Sequence, residues 1–178
     1  MKLQMQLIIA LLLVLSSSSS IFAQKPKQLT NDDFSPPPSP TSTNNTNSSE
    51  DKLKSAIISL ERSGCLGPCP VYKITIYGSG KVVYKGEKFV KVVGERTITV
   101  DREKIEKLLA DFEKSGYFSL EDKYEGGPTD ATSAITSITL SNKKKTINDY
   151  HASPNSPAIL RDLENQIDAV VNSGQWVQ

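Results

Sequence analysis

Thiol, imidazole and metal chemistry has few residues to draw on in this 178-residue chain, which carries two Cys and a single His. The cysteines stand four apart in Cys65-Leu66-Gly67-Pro68-Cys69-Pro70-Val71-Tyr72. In an exported protein such a pair most simply closes a disulfide. Gly67 supplies the backbone freedom that a tight ring requires, and Pro68 narrows the unfolded ensemble. On the chain-entropy model the closure adds about 2 kcal/mol, an upper-end figure because short loops strain. The expected role of Cys65 and Cys69 is therefore a stapled turn that feeds a strand starting at Val71.

Two other chemistries compete for the same residues. Thiol redox catalysis of the thioredoxin type needs two residues between the cysteines and a helix N-terminus to lower the attacking thiol's pKa. Here three residues intervene, and the alternation Tyr72-Ile74-Ile76 predicts a strand instead. Cu(I) is the other candidate, because thiolates and an imidazole suit that soft ion. Cys65-x-x-x-Cys69-Pro70 with a distant His151 resembles the ligand set of copper chaperones of the cytochrome oxidase assembly type. In those proteins a helix follows the motif within a thioredoxin fold, and this sequence departs from that. Too few Cys and His are present for a zinc site of four such ligands, and neither cysteine begins a haem-attachment motif.

Other catalytic patterns are missing. Gly78-Ser79-Gly80-Lys81 is followed by a valine-rich strand and not by the helix that a phosphate loop must open, so it reads as a hairpin turn. There is no Gly-x-Ser-x-Gly elbow, and a serine triad would have to combine His151 with Asp149 or Asp168. Glu121 and Asp122 stand among polar loop residues with nothing apolar to tune them for acid catalysis. Lys81, Lys85, Lys88 and Lys91, with residues 143–145, read as solvated lysines of strands and turns. The longest irregular stretch, residues 124–130, has Gly, Pro and Asp for turn geometry. Together with the cysteine turn it forms the expected recognition surface, with Tyr124, Asp130 and Tyr72 as its candidate residues. The expected ligand is an envelope or extracellular component, and no resident cofactor is expected.

The elements that must position these residues follow from periodicity. Strands are predicted at 57–60, 71–77, 81–85, 89–93, 96–100, 135–140 and 146–150. Asp101 caps a helix carrying Ile105, Leu108, Leu109 and Phe112 on one face, and Gly116 stops it. Ser156 and Pro157 open a last helix with Ile159, Leu163, Ile167 and Val170 as its buried stripe, ending at Gly174. Both halves run hairpin, helix, Ser-Gly and a large aromatic: Ser115-Gly116-Tyr117-Phe118 and Ser173-Gly174-Gln175-Trp176. The expected fold is α+β, an antiparallel sheet built from hairpins with two helices on one face, arranged as two β-hairpin-plus-helix units.

The order Cys-x-Gly-x-Cys-Pro-x-Tyr, hairpin with Tyr84-x-Gly86, Gly94, helix, Gly116-Tyr117-Phe118, Asp130, hairpin, helix, Trp176 resembles an uncharacterised family of exported bacterial domains of unknown function. The resemblance spans 57–176. It implies a compact exported domain and no particular activity.

Residues 1–23 read as a secretory signal peptide: Lys2, an apolar run over 3–15, serines at 16–20 and a small residue, Ala23, at the cut. The run is too short to span a membrane comfortably, so no membrane span is expected after cleavage. Residues 24–51 are rich in Ser, Thr, Asn and Pro and read as a disordered spacer. Residues 52–178 form the single globular domain. A net charge of +1 with pI about 7.7 argues against a nucleic-acid binder. The expected location is periplasmic or secreted, and the expected role is a non-catalytic binding or accessory module. Thiol-redox or Cu(I) function through Cys65, Cys69 and His151 is the alternative.

Overall fold

Alternation organises the sheet. Along Val71–Tyr77, Tyr72, Ile74 and Ile76 are buried while Lys73 between them is exposed. The same period buries Ile58 and Leu60, Val82 and Tyr84, and Ala134, Thr136, Ile138 and Leu140. A period of two puts each set on one face, so one face of the sheet is apolar and must be covered.

The computed structural model describes residues 45–178. In chain order the elements are α1 (Asn45–Lys54), β1 (Ile57–Arg62), β2 (Val71–Tyr77), β3 (Lys81–Lys88), β4 (Gly94–Thr99) and α2 (Arg102–Lys114). A 3-10 turn (Tyr117–Ser119), β5 (Lys123–Tyr124), β6 (Ser133–Leu140), β7 (Lys143–Tyr150), α3 (Ala158–Val171) and the short α4 (Gly174–Val177) follow. The strands form one sheet in the order β4-β3-β2-β1-β6-β7-β5, antiparallel except for β5 beside β7. This is the expected α+β architecture. The β2-β3-β4 meander and the β6-β7 hairpin flank a central β1. The helices α2 and α3 bury Ile105, Leu108, Leu109 and Phe112, and Leu160, Leu163, Ile167 and Val171, in the same apolar core as the sheet.

The aromatics that follow α2 and α3 lock the two halves together. Tyr117 packs edge-on against Phe112 at 4.9 Å and donates to the Thr136 carbonyl of β6 at 2.9 Å. Trp176 lies 4.7 Å from Tyr84 of β3. Each half thus anchors its last aromatic on the strands of the other.

Several expected boundaries move. Residues 89–93 are not a strand: β3 runs on to Lys88, and the chain then bends, with Phe89 at φ 53° and 59% exposed. The Val92 amide bonds the Trp176 carbonyl instead of a neighbouring strand, and the Val92 carbonyl takes the Tyr84 hydroxyl. The expected spacer over 24–51 overlaps α1, whose first residues lie inside it, and Leu53 of α1 joins the core. Residues 1–44, with the expected signal peptide and most of the spacer, lie outside the described residues. Asp101 takes the expected N-cap position of α2 but its side chain makes no capping hydrogen bond, and Gly116 follows the helix at φ 70°. Pro157, one residue later than expected, stands at the N-cap position of α3 with no side-chain cap, and Asn172 in the left-handed region ends the helix before Gly174. The stripe of α3 holds Leu160 in place of the exposed Ile159. Among the described residues no helix is long and apolar enough to cross a membrane.

Candidate functional site

The strand register sorts the connections into two kinds. At one end of the sheet the links are tight: residues 78–80 and 141–142 turn hairpins. At the other end Arg62 pairs with Tyr72 and Ala134, Val71 with Lys88, and Ser133 with Tyr150. That end therefore collects the irregular links at 63–70, 89–93, 125–132 and 151–157. The cysteine turn and the Gly-rich loop, far apart in sequence, meet the solvent at this end.

A polar cluster lies beneath these loops. Arg62 at the end of β1 donates through Nη2 and Nε to Asp168 Oδ2, at 2.8 and 3.0 Å, and through Nη1 to Glu164 Oε2 at 3.3 Å. Glu164 and Asp168 are four apart on α3, so both reach the same face. Tyr72 donates to Asp168 Oδ1 at 2.9 Å, and Ser173 donates to the same oxygen at 2.6 Å. Burial, then the Asp168 carboxylate, push the Tyr72 phenol well above its usual range. Burial works against the Arg62 charge, but Asp168, Tyr72 and Glu164 outweigh it and raise its pKa.

Beside this network stand Asp149 of β7, His151 just after that strand, and Glu164. Asp149 and Glu164 are buried and His151 is half-buried. His151 Nε2 lies 2.8 Å from Glu164 Oε2 and 4.0 Å from Asp149 Oδ2, and its Nδ1 lies 3.0 Å from Thr132 Oγ1. Neither Asp149 oxygen, nor Glu164 Oε1, has a hydrogen-bond partner among the described residues.

A cleft of about 380 Å³ opens over this cluster, lined among others by Arg62, Pro70, Tyr72, His151, Arg161 and Glu164. Pro70 brings the cysteine turn to its rim. A second cleft of about 370 Å³ lies along the Gly-rich loop, between Tyr124, Gly127, Asn148 and Tyr150. That loop is tied down: Ser153 donates to the Glu125 carbonyl at 2.8 Å, and Tyr150 donates to the Pro128 carbonyl.

A family model described as Domain of unknown function (DUF6438) matches residues 56–171. The chain belongs to this family. The DUF6438 match runs from the residue before β1 to the last residue of α3, so it includes the cysteine turn, Asp149, His151 and Glu164. It leaves α1 and Trp176 outside. No curated protein matches the chain.

The expected site residues of this DUF6438 domain fall as follows. Cys65 and Cys69 form a disulfide, whose loop holds Leu66 out at 83% exposure. Tyr72 is a buried strut of the cleft wall, Tyr124 is half-buried in the second cleft, and Asp130 is exposed and accepts from Thr129 at 3.1 Å. All three share the loop end of the sheet. His151 faces carboxylates and Thr132, while the two sulfurs bond each other.

Sequence reasoning missed Arg62 and Glu164 and weighed Asp149 and Asp168 only as triad acids. A signal was present. Asp149 continues the buried alternation of Ile147, and Glu164 sits in the helical stripe of Leu160, Leu163 and Ile167. An acid at a core position of an amphipathic element needs a partner, and the partner is the thing to look for.

Proposed function

We propose that this domain is an exported, non-catalytic binding module that meets an envelope or extracellular component at the loop end of its sheet. One observation carries the reading: the irregular links converge at that end, where a covalently closed turn holds the apolar Leu66 in solvent. Exposed apolar side chains on a pinned turn lose little entropy when a partner covers them. Phe89 and Val93, at 59% and 66% exposure, are further exposed apolar side chains on the 89–93 link at the same end of the sheet. The network of Arg62, Tyr72 and Asp168 supports the reading by bracing the cleft wall, as preorganised recognition surfaces require. Export rests on the signal-peptide pattern over 1–23.

Site-specific photocrosslinking in the cell that makes the protein tests the reading. A crosslinker in place of Leu66 should trap a discrete adduct, and one in place of Ser79 at the opposite end should not. Equal trapping at both positions, or none at Leu66, sinks it. The intact mass of the protein recovered outside the cytoplasm should correspond to a chain beginning at Gln24.

A further inference from the structure

We propose that Asp149, His151 and Glu164 form a binding site for a divalent transition-metal ion of the Zn²⁺ class. Asp149 is fully buried with neither oxygen partnered, and Glu164, 1% exposed, has Oε1 in the same condition. Burying a carboxylate without a partner is costly, so native structures pair such groups or put a metal on them. The neighbouring cation, Arg62, reaches Glu164 Oε2 and Asp168, which leaves Asp149 unanswered. His151 makes no hydrogen bond to Asp149 either. Its Nε2 lies 2.8 Å from Glu164 but 4.0 Å from Asp149, and its Nδ1 is engaged with Thr132.

A metal ion answers all three groups at once. One donor atom from each of Asp149, His151 and Glu164 lies within 4.8 Å of the other two. Bonds of about 2.0–2.2 Å to a tetrahedral ion place donors roughly 3.3–3.6 Å apart. The separations of 2.8 and 4.0 Å lie on either side of that value, so small side-chain adjustments would complete the sphere. One imidazole with two carboxylates is a borderline N/O donor set, suited to Zn²⁺ or Mn²⁺ and unlike the thiolate set that Cu(I) prefers. The surroundings match those of metal ligands. Thr132 holds the second ring nitrogen of His151, and Arg62, braced by Asp168, donates to Glu164 Oε2, the oxygen nearest His151, which leaves Oε1 free for an ion. His151 and Glu164 also line the 380 Å³ cleft, so three protein ligands leave a fourth position open to it. The site stands apart from the binding-module reading, since it needs no partner.

The test uses the purified chain with its disulfide intact. One equivalent of Co²⁺ should give a visible absorption band that Zn²⁺ displaces. Zn²⁺ at about 100 μM should raise Tm by several degrees. Asp149→Asn should fold with a metal-free Tm no lower than wild type, because it removes a buried unpaired charge, and should bind Zn²⁺ at least about 100-fold more weakly. Thr132→Val should weaken binding about tenfold through the ring nitrogen it no longer holds. Cys65→Ser/Cys69→Ser should keep the Co²⁺ band. The proposal is overturned if wild type shows neither band nor Tm shift, or if Asp149→Asn keeps the wild-type shift. Should Asp149→Asn fail to fold, His151→Gln at the cleft surface takes its place with the same expected loss. Crosslinking at Leu66 and metal binding are separate readouts, so either reading can fail while the other stands.

Discussion

The Tyr72 hydroxyl donates to Asp168 Oδ1 at 2.9 Å, joining the strand that leaves the disulfide turn to the last long helix. Asp168 also receives Arg62 and Ser173, so one carboxylate gathers β1, β2, α3 and the start of α4. The cleft wall is held by this junction.

Tyr72→Phe should therefore destabilise the domain while leaving its shape intact. A buried hydroxyl bonded to a carboxylate contributes about 1.5–3 kcal/mol, and the lower part of that range is expected because Arg62 and Ser173 remain on Asp168. Urea unfolding should show a lower midpoint with an unchanged slope.

Alkaline pH should unfold the protein through its buried phenols. Burial raises the pKa of Tyr72, Tyr84 and Tyr117, with the Asp168 charge adding at Tyr72. A folded pKa above the unfolded value of about 10 means the native state holds protons that the unfolded state releases. Their stabilisation is complete below about pH 10 and is lost as pH rises through the folded values. Absorbance at 295 nm should thus show an ionisation step that coincides with loss of far-UV circular dichroism. Full titration of all six tyrosines before any loss of structure would contradict this.

Gly86→Ala should be costly although alanine suits strands no worse than glycine. A Cβ at Gly86 would sit 2.1 Å from the Val92 carbonyl oxygen and 2.6 Å from the Tyr84 hydroxyl. The 89–93 loop would have to lift off, and its Val92–Trp176 bond with it. Overpacking of this kind costs about 1–3 kcal/mol. Thermal unfolding gives the size, and Trp176 fluorescence should shift to the red.

Cys65→Ser/Cys69→Ser should lose at most about 2 kcal/mol, because the closed loop is short and lies outside the core. Chemical denaturation of oxidised wild type against the double variant measures it. A loss well beyond that figure would mean that the turn also holds Pro70 and Tyr72 in place.

Much of the fold is legible in local patterns. The alternation of Tyr72, Ile74 and Ile76 and the helical stripe of Ile105, Leu108, Leu109 and Phe112 are buried as their spacing demands. Such patterns survive because side-chain direction has a fixed period within one element. Element ends are less legible. Phe89, Val90 and Val92 have the composition of a strand, yet they bend over Tyr84 because the Trp176 carbonyl competes for the Val92 amide. That competitor lies more than eighty residues away in the chain.

The candidate site divides the same way. The sequence by itself determined that Cys65 and Cys69 close a turn before β2, that one apolar face must be covered by two helices, and that Asp149 follows Ile147 in the alternation. Which acid meets which base was decided only in three dimensions. Arg62, Asp149, His151 and Glu164 come from the ends of β1 and β7 and from the middle of α3, and no local period relates them. The strand order, with β1 at the centre and β7 two places away under α3, sets those distances, and with them the buried charge of the cleft. Burial and pairing are properties of that assembled neighbourhood, so the chemistry of these residues exists only once the sheet has closed beneath the helix.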